Sequence, residues 1–391
     1  MRNFIRLLCW LVGVLAVAIA VCYVTGNGHL VNGVRYTYLI GRSGPEIDDR
    51  DFFAYGTIPA EAPQPWPRSA RYGTLALDDA QVASLNRLNT VGFVVIKNDS
   101  LLFEEYFDGW RADSVSNSFS VAKSYISLLT GIAIKEGKIT DLHTPVGRYL
   151  PAFDALDACH KKITLWNLLT MSTGLDWSES GSSPFSDNAK GYYGNKVSEL
   201  AMDQPCREEP GQAFDYISGS TQIMSDVLQE IYGQPLDELV REKIWKPLGA
   251  EHTAYWGKDR EQGDFKAFCC LYATARDFAR IGQLWLDSGM WKGTRIVPEE
   301  YWQASITPAD LTDLDGPNKR YGYYWWLAEV DGMPMYYARG FHGEYVVVLP
   351  HERLVMVRTG AKWEEKNESG HPKDVFQWLR IARELARSNA Q

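Results

Sequence analysis

Residues 116–134 read Ser-Asn-Ser-Phe-Ser-Val-Ala-Lys-Ser-Tyr-Ile-Ser-Leu-Leu-Thr-Gly-Ile-Ala-Ile, an apolar helical run entered through polar residues. Ser120 and Lys123 stand three positions apart, so a helix puts their side chains side by side at its first turn. A serine hydroxyl is a weak nucleophile at neutral pH and needs a base within hydrogen-bond reach. A lysine packed among Val121, Ala122, Ile126 and Leu128 is desolvated, which lowers its pKa and makes its amine a proton acceptor. Backbone N–H groups at the helix start add positive potential where an oxyanion would form. The competing reading is a helix-capping serine followed by a surface lysine.

Outward from this stretch, period and turn chemistry place the other elements. On its N-terminal side, VGFVVIKNDSLLFEEYF (91–107) has two β-rich runs around Lys97-Asn98-Asp99-Ser100, a hairpin signature. From about 140 to 315 the helical period dominates, in TLWNLLTM, GSTQIMSDVLQEIYG, PLDELVREKIW and TARDFARIGQLWLDSG. Asp277 in the last of these is read as a structural pair or cap. Short apolar strands return at 335–340, 344–350 and 353–360. An amphipathic helix closes the chain at 373–388. Early and late strands with a helical middle give an α+β fold, an antiparallel sheet flanked by helices with a helical insertion subdomain. Residues 28–85, rich in Gly and Pro, are read as an irregular arm, and 86–391 as the folded domain.

Composition narrows the function. The 391 residues are 45% hydrophobic and carry a net charge of −9, without the basic stripe that nucleic acid requires. Fourteen Trp and 21 Tyr suit a site that grips apolar or mixed small molecules, although most such rings serve cores. No Gly-rich phosphate loop, HExxH or CxxC is present, so no cofactor and no metal are expected. No reading of oligomeric state follows.

Leu7 to Val24 is an 18-residue run without a charge, preceded by Arg2 and Arg6. That is long enough to span a bilayer and orients the N-terminus inward, with the domain on the exterior, periplasmic side of the cytoplasmic membrane. Ala18-Ile19-Ala20 also fits a signal-peptide cleavage site, which would give a secreted protein. The anchor, residues 1–27, is favoured because the apolar run continues past that site. An exported chain permits disulfides. Cys159 with Cys206 is the pair to test, against free buried thiols, whereas the adjacent Cys269 and Cys270 are not expected to bridge.

From about residue 91 to 360 the chain resembles the serine β-lactamase and penicillin-binding-protein superfamily, in the branch of class C β-lactamases, β-lactamase-type carboxylesterases and 6-aminohexanoate-dimer hydrolase. Seven motifs carry the resemblance in family order: SFSVAKS (118–124), ITLWNLLTMSTGLDW (163–177), EEPGQAFDYISGS (208–220), WKPLGA (245–250), LYATARDFARIGQL (271–284), YGYYWW (321–326) and GEYVVVLP (343–350). The resemblance implies that Ser120 is acylated and that Lys123 handles its proton. It implies that Tyr216, in the Tyr-x-Ser form completed by Ser218, is a second proton acceptor, its pKa lowered by the neighbouring ammonium. The family's Lys-Thr-Gly falls on Ala338-Arg339-Gly340. Gly340 lets backbone approach a ligand, and the Phe341 N–H becomes an oxyanion donor beside that of Ser120. Arg339 either substitutes for the missing lysine or, by strand alternation, points away. Asp176, Trp177 and His342 are candidate substrate contacts, with a core tryptophan and a turn histidine as the plainer readings. The activity implied is hydrolysis of a small ester, amide or peptide. The alternatives are a β-lactamase or D-alanyl-D-alanine peptidase and, from another class, a non-catalytic membrane-anchored binding or scaffold protein.

Overall fold

In the computed structural model, which describes residues 1–313 and 316–388, the chain reverses at Asn98 and Asp99 with φ of 48° and 64°. Asn and Asp tolerate this left-handed backbone better than other residues with a side chain, and two such residues in succession make a tight hairpin. Strands β1 (Thr90–Lys97) and β2 (Ser100–Tyr106) therefore pair antiparallel. The late strands are β3 (Trp326–Val330), β4 (Met333–Arg339), β5 (Tyr345–Leu349) and β6 (Leu354–Gly360). The sheet order is β3-β4-β5-β6-β1-β2, antiparallel throughout, with Leu354 opposite Lys97. The two ends of the domain sequence thus meet at the β6–β1 seam.

The longer helices that place the site are α1 (Arg2–Val24), α2 (Gly28–Tyr36), α3 (Ala122–Lys135), α4 (Ser218–Tyr232), α5 (Ala275–Leu286) and α6 (Lys373–Arg387). Gly282 lets α5 lie close on one sheet face, since a Cβ there would sit 2.6 Å from Val355 and 2.8 Å from Val346. On the opposite face, Asp374 and Trp378 of α6 meet Tyr345 and Arg358. Helix α3, buried from Ala122 to Ala133, packs against α4. Asp277 is structural: it takes N–H bonds from Glu251 and His252 and pairs with Arg280.

The segment 28–85 is more ordered than its composition suggests. It holds α2, a helix at Asp79–Arg87 opened by an Asp78–Gln81 capping box, and a strand at Tyr55–Ile58. That strand pairs with Ala254–Gly257, which continues through Leu271–Ala273 to Ser116–Asn117. The middle of the chain is accordingly not purely helical. Cys159 is bridged to Cys206, and Cys269 to Cys270, against the expectation for adjacent cysteines. Cys270 takes up a left-handed φ of 67° within that pair.

Arg358 is fully buried on β6 and donates to the carbonyls of Leu88, His342, Gly343 and Lys362 and to Thr90 Oγ1. Replacing it leaves four carbonyls without a charged donor, of which the two fully buried ones, of Leu88 and Gly343, each cost about 1–3 kcal/mol. Arg358→Leu is expected to lower unfolding free energy by about 3 kcal/mol or more, measured by urea denaturation.

Candidate active site

Ser116–Asn117 leaves the small sheet at a sharp turn in which Phe119 has φ 42°, a left-handed conformation that costs a residue with a side chain about 1–2 kcal/mol. Two features hold it there. The Phe119 N–H donates to Asn117 Oδ1 at 3.0 Å, and its ring packs between Tyr192 (6.4 Å) and Phe341 (5.9 Å). A 3₁₀ turn over Phe119–Val121 then leads into α3, placing Ser120 at the helix mouth.

Lys123, one turn on, is 1% exposed. Its Nζ lies 2.9 Å from Ser120 Oγ and donates to the Phe268 carbonyl at 3.0 Å. The rings of Tyr216 and Phe268 enclose it, at 5.0 and 5.7 Å. Burial pulls the amine down to about 8, with the Glu179 carboxylate opposing the shift.

Tyr216 stacks on Trp326 at 5.4 Å, with Ser120 near enough to act on its phenol. Its phenol departs from the sequence expectation of a lowered pKa. Burial pushes it well up, Glu179 adds to the rise, and the Ser120 contact only partly offsets it. Tyr216 therefore keeps its proton at neutral pH.

Ser218, at the start of α4, donates from N and Oγ to Glu179, at 2.8 and 2.7 Å. Asn188 donates to the same carboxylate at 3.0 Å. A carboxylate at a helix N-terminus completes the unsatisfied amides there.

The far wall is the end of β4. A Cβ on Gly340 would lie 2.5 Å from Ser118 O and 2.2 Å from Glu344 Oε2, so only glycine fits. Phe341 follows, and its amide hydrogen meets no acceptor among the described residues. Arg339 faces the cavity, resolving the two sequence readings, with its guanidinium 4.5 Å from the Trp363 ring. Lys366 and Arg320 join it on the wall, Arg320 paired with Asp313 at 2.6 and 2.9 Å.

These elements enclose a cavity of about 500 Å³, lined by Ser120, Tyr216, Ser218, Gly340 and Phe341 among others, with Lys123 beneath Ser120. Three sequence candidates lie off its wall. Asp176 is on the surface, 3.9 Å from Arg207. Trp177 is a core residue, packed on Gly219, where a Cβ would come within 2.7 Å of its ring, and facing Phe268. His342 turns behind Phe341 and bonds to the Pro45 carbonyl at 2.8 Å. Glu179, Asn188 and Pro45, which the sequence reading did not single out, line the cavity instead.

The profile of the beta-lactamase family matches residues 79–374. The chain is 25% identical over 292 residues to the 6-aminohexanoate-dimer hydrolase of Paenarthrobacter ureafaciens, covering 69% of this chain and 72% of that protein. Among solved structures, a proposed 6-aminohexanoate-dimer hydrolase from Bacillus anthracis superposes with a TM-score of 0.72 at 22% identity, over 88% of this chain and 94% of that one. A family VIII carboxylesterase gives 0.62 at 18% identity, over 82% and 98%.

The Lys123 amine is expected to titrate near pH 8. Glu179→Gln removes a charge that favours the ammonium and is expected to lower that value further. Side-chain ¹⁵N-lysine NMR across pH 6–11 measures both, and an upward shift would contradict the electrostatics described.

Proposed function

The chain belongs to the beta-lactamase family, and from that premise we propose that it is a serine hydrolase that cleaves an ester or amide through an acyl-enzyme on Ser120. The observation that carries the reading is the 2.9 Å approach of a buried, pKa-lowered lysine amine to a serine hydroxyl at a helix mouth. Neutral Lys123 takes the hydroxyl proton as Ser120 Oγ bonds to the substrate carbonyl carbon. The carbonyl oxygen becomes an oxyanion facing the N–H groups of Ser120 and Phe341. Tyr216, protonated because it is buried, gives its proton to the departing alcohol or amine, and the Lys123 ammonium restores it. Water then enters by the reverse route and releases the acid. Glu179 holds Ser218 and balances the ammonium formed at Lys123.

A second reading has its own support in Arg339 and Lys366 on the cavity wall. Those cations suit a substrate carboxylate, the group that β-lactams and D-alanyl peptides present. The two readings part on kcat/KM for p-nitrophenyl butyrate and nitrocefin. The ester reading expects the butyrate to be faster and Arg339→Ala to change it little; a faster nitrocefin reaction that Arg339→Ala cuts by about tenfold, the worth of one charge-assisted bond, supports the other.

A fluorophosphonate probe is expected to label Ser120, and Ser120→Ala to abolish turnover with the fold intact. Lys123→Ala and Tyr216→Phe are each expected to slow acylation by about 10²–10⁴-fold, and to combine non-additively because they serve one proton path. The acid limb of kcat/KM is expected to rise through about pH 8 as Lys123 loses its proton, and Glu179→Gln to move that limb to lower pH. Label on a different serine, or a fully active Ser120→Ala, would remove the central claim.

A further inference from the structure

Helix α1 has 23 residues, none buried, and at 1.5 Å per residue reaches about 34 Å, enough to cross a hydrocarbon core of about 30 Å. Only Thr25–Asn27 separates it from α2. Three residues reach about 11 Å at most, so a membrane-held α1 keeps the domain against the bilayer surface. The Gly28–Tyr23 approach tightens this further, a Cβ on Gly28 falling 2.8 Å from the Tyr23 ring.

From α2 a short series of contacts leads to the cavity. His29 Nε2 bonds to the Pro184 carbonyl at 3.0 Å, and Asn32 donates to the Tyr193 carbonyl at 2.8 Å. Tyr193 lines the cavity. Pro184 belongs to the loop that carries Glu179 and Gly181, and Gly181 lies under the Phe341 ring, where a Cβ would be only 2.5 Å from it. Tyr193 thus both seats α2 and lines the cavity, and the loop of Pro184 carries two further lining residues.

Large exposed apolar side chains outside α1 are concentrated along this path. Of the eight beyond Val24 among the described residues, Val34, Tyr38, Leu39 and Ile40 lie on or just beyond α2, Phe185 on the loop beneath it, and Phe341 at the cavity. Leu39 is 74% and Phe185 64% exposed. Such grouping is costly in water and natural at a membrane interface, where aromatic rings favour the headgroup level.

We propose that the cavity opens onto the membrane surface, and that the substrate is a membrane-borne amphiphile whose ester or amide enters the cavity while its hydrocarbon chain stays in lipid. The proposal rests on the hydrolase reading for the reaction and on α1 as an anchor for the placement. The occupant of the apolar patch is the bilayer, because the patch is continuous with a helix of membrane-spanning length.

The test uses the full chain in phosphatidylcholine–phosphatidylglycerol vesicles, with two readouts. For placement, photoreactive benzoylphenylalanine replaces Leu39, Phe185 or, as control, Leu156, which is exposed near the Cys159–Cys206 bridge. Lipid adducts at 39 and 185 and none at 156 are expected. Adducts to a second copy of the chain, or equal adducts at all three, overturn the placement. For substrate class, p-nitrophenyl palmitate dissolved in the vesicles is compared with soluble p-nitrophenyl butyrate. The double variant Leu39→Ser, Phe185→Ser is expected to lose about tenfold or more on the palmitate and stay within about twofold on the butyrate, since two apolar contacts with lipid are removed. Equal loss on both esters, or none on either, overturns the substrate claim. If the unmodified protein cleaves neither ester, the hydrolase reading and the substrate claim fail together, while the lipid adducts still decide the placement.

Discussion

Burying the Lys123 amine against the Ser120 hydroxyl is the constraint around which the site is arranged. An ammonium removed from water is costly unless it is neutralised or paired. Here the Phe268 carbonyl and the Tyr216 and Phe268 rings receive it directly, and the Glu179 carboxylate acts at longer range. The result is an amine poised near neutrality. The same burial has the opposite effect on Tyr216, whose charged form is the anion. One apolar enclosure therefore drives two groups of nearly equal ordinary pKa apart in proton affinity, and so supports the proposed assignment of Lys123 as acceptor and Tyr216 as donor, which the residue types alone leave open.

A second buried network holds the turn before Ser120. Asp49, from the N-terminal segment, accepts from Tyr192 at 2.5 Å and Tyr272 at 2.6 Å. Asn117 donates to both hydroxyls, at 3.2 and 3.3 Å, while its Oδ1 receives the Phe119 N–H. Lys266, buried on the Phe53 ring at 3.6 Å, is pulled down to about 7, with Asp49 opposing that shift. Polar groups at this depth are costly unless satisfied together, so they lock one geometry. The left-handed Phe119 is thereby held by a residue some 70 positions upstream, in a segment whose composition reads as loose.

The extent to which the sequence revealed this follows from how local each signal is. The Asn98-Asp99 reversal, the strands on either side of the seam and helices α4, α5 and α6 each leave a period or a turn residue in a short window, and each stands where that signal puts it. Ser120 and Lys123 are legible for the same reason, because their pairing is a property of one helical turn. Glu179 is not, since it is a lone acid in a Ser- and Gly-rich loop whose partners, Ser218 and Asn188, are contacts of the folded chain. Trp177 and His342 sit beside motif residues in sequence, yet the turns at Gly174 and Gly343, with φ of 71° and 82°, carry them behind the wall. Arg339 shows the limit of alternation at a strand end: Ala338 is buried within the sheet and its neighbour reaches the cavity, but nothing local says which face the cavity occupies.

The segment between α1 and the domain joins these features physically. Pro45 lines the cavity and holds His342 through its carbonyl, Ile47 accepts the Asn117 N–H at 2.8 Å, and Asp49 closes the polar network. Three residues within five positions thus touch the turn before Ser120 and the loop that follows Gly340, the two places that supply the proposed oxyanion donors. Because only α2 and the short Tyr38–Ile40 turn lie between α1 and that loop, the position of the apolar helix and the geometry of the site are not independent. A chain that needed α1 only as a tether would be served by a long polar linker. Ordering residues 28–53 against the cavity instead costs conformational entropy of about 1–2 kcal/mol per residue, which the packing of α2 and the buried Asp49 contacts must offset. That cost makes structural sense where the distance and orientation between the apolar helix and the cavity mouth matter to what enters it.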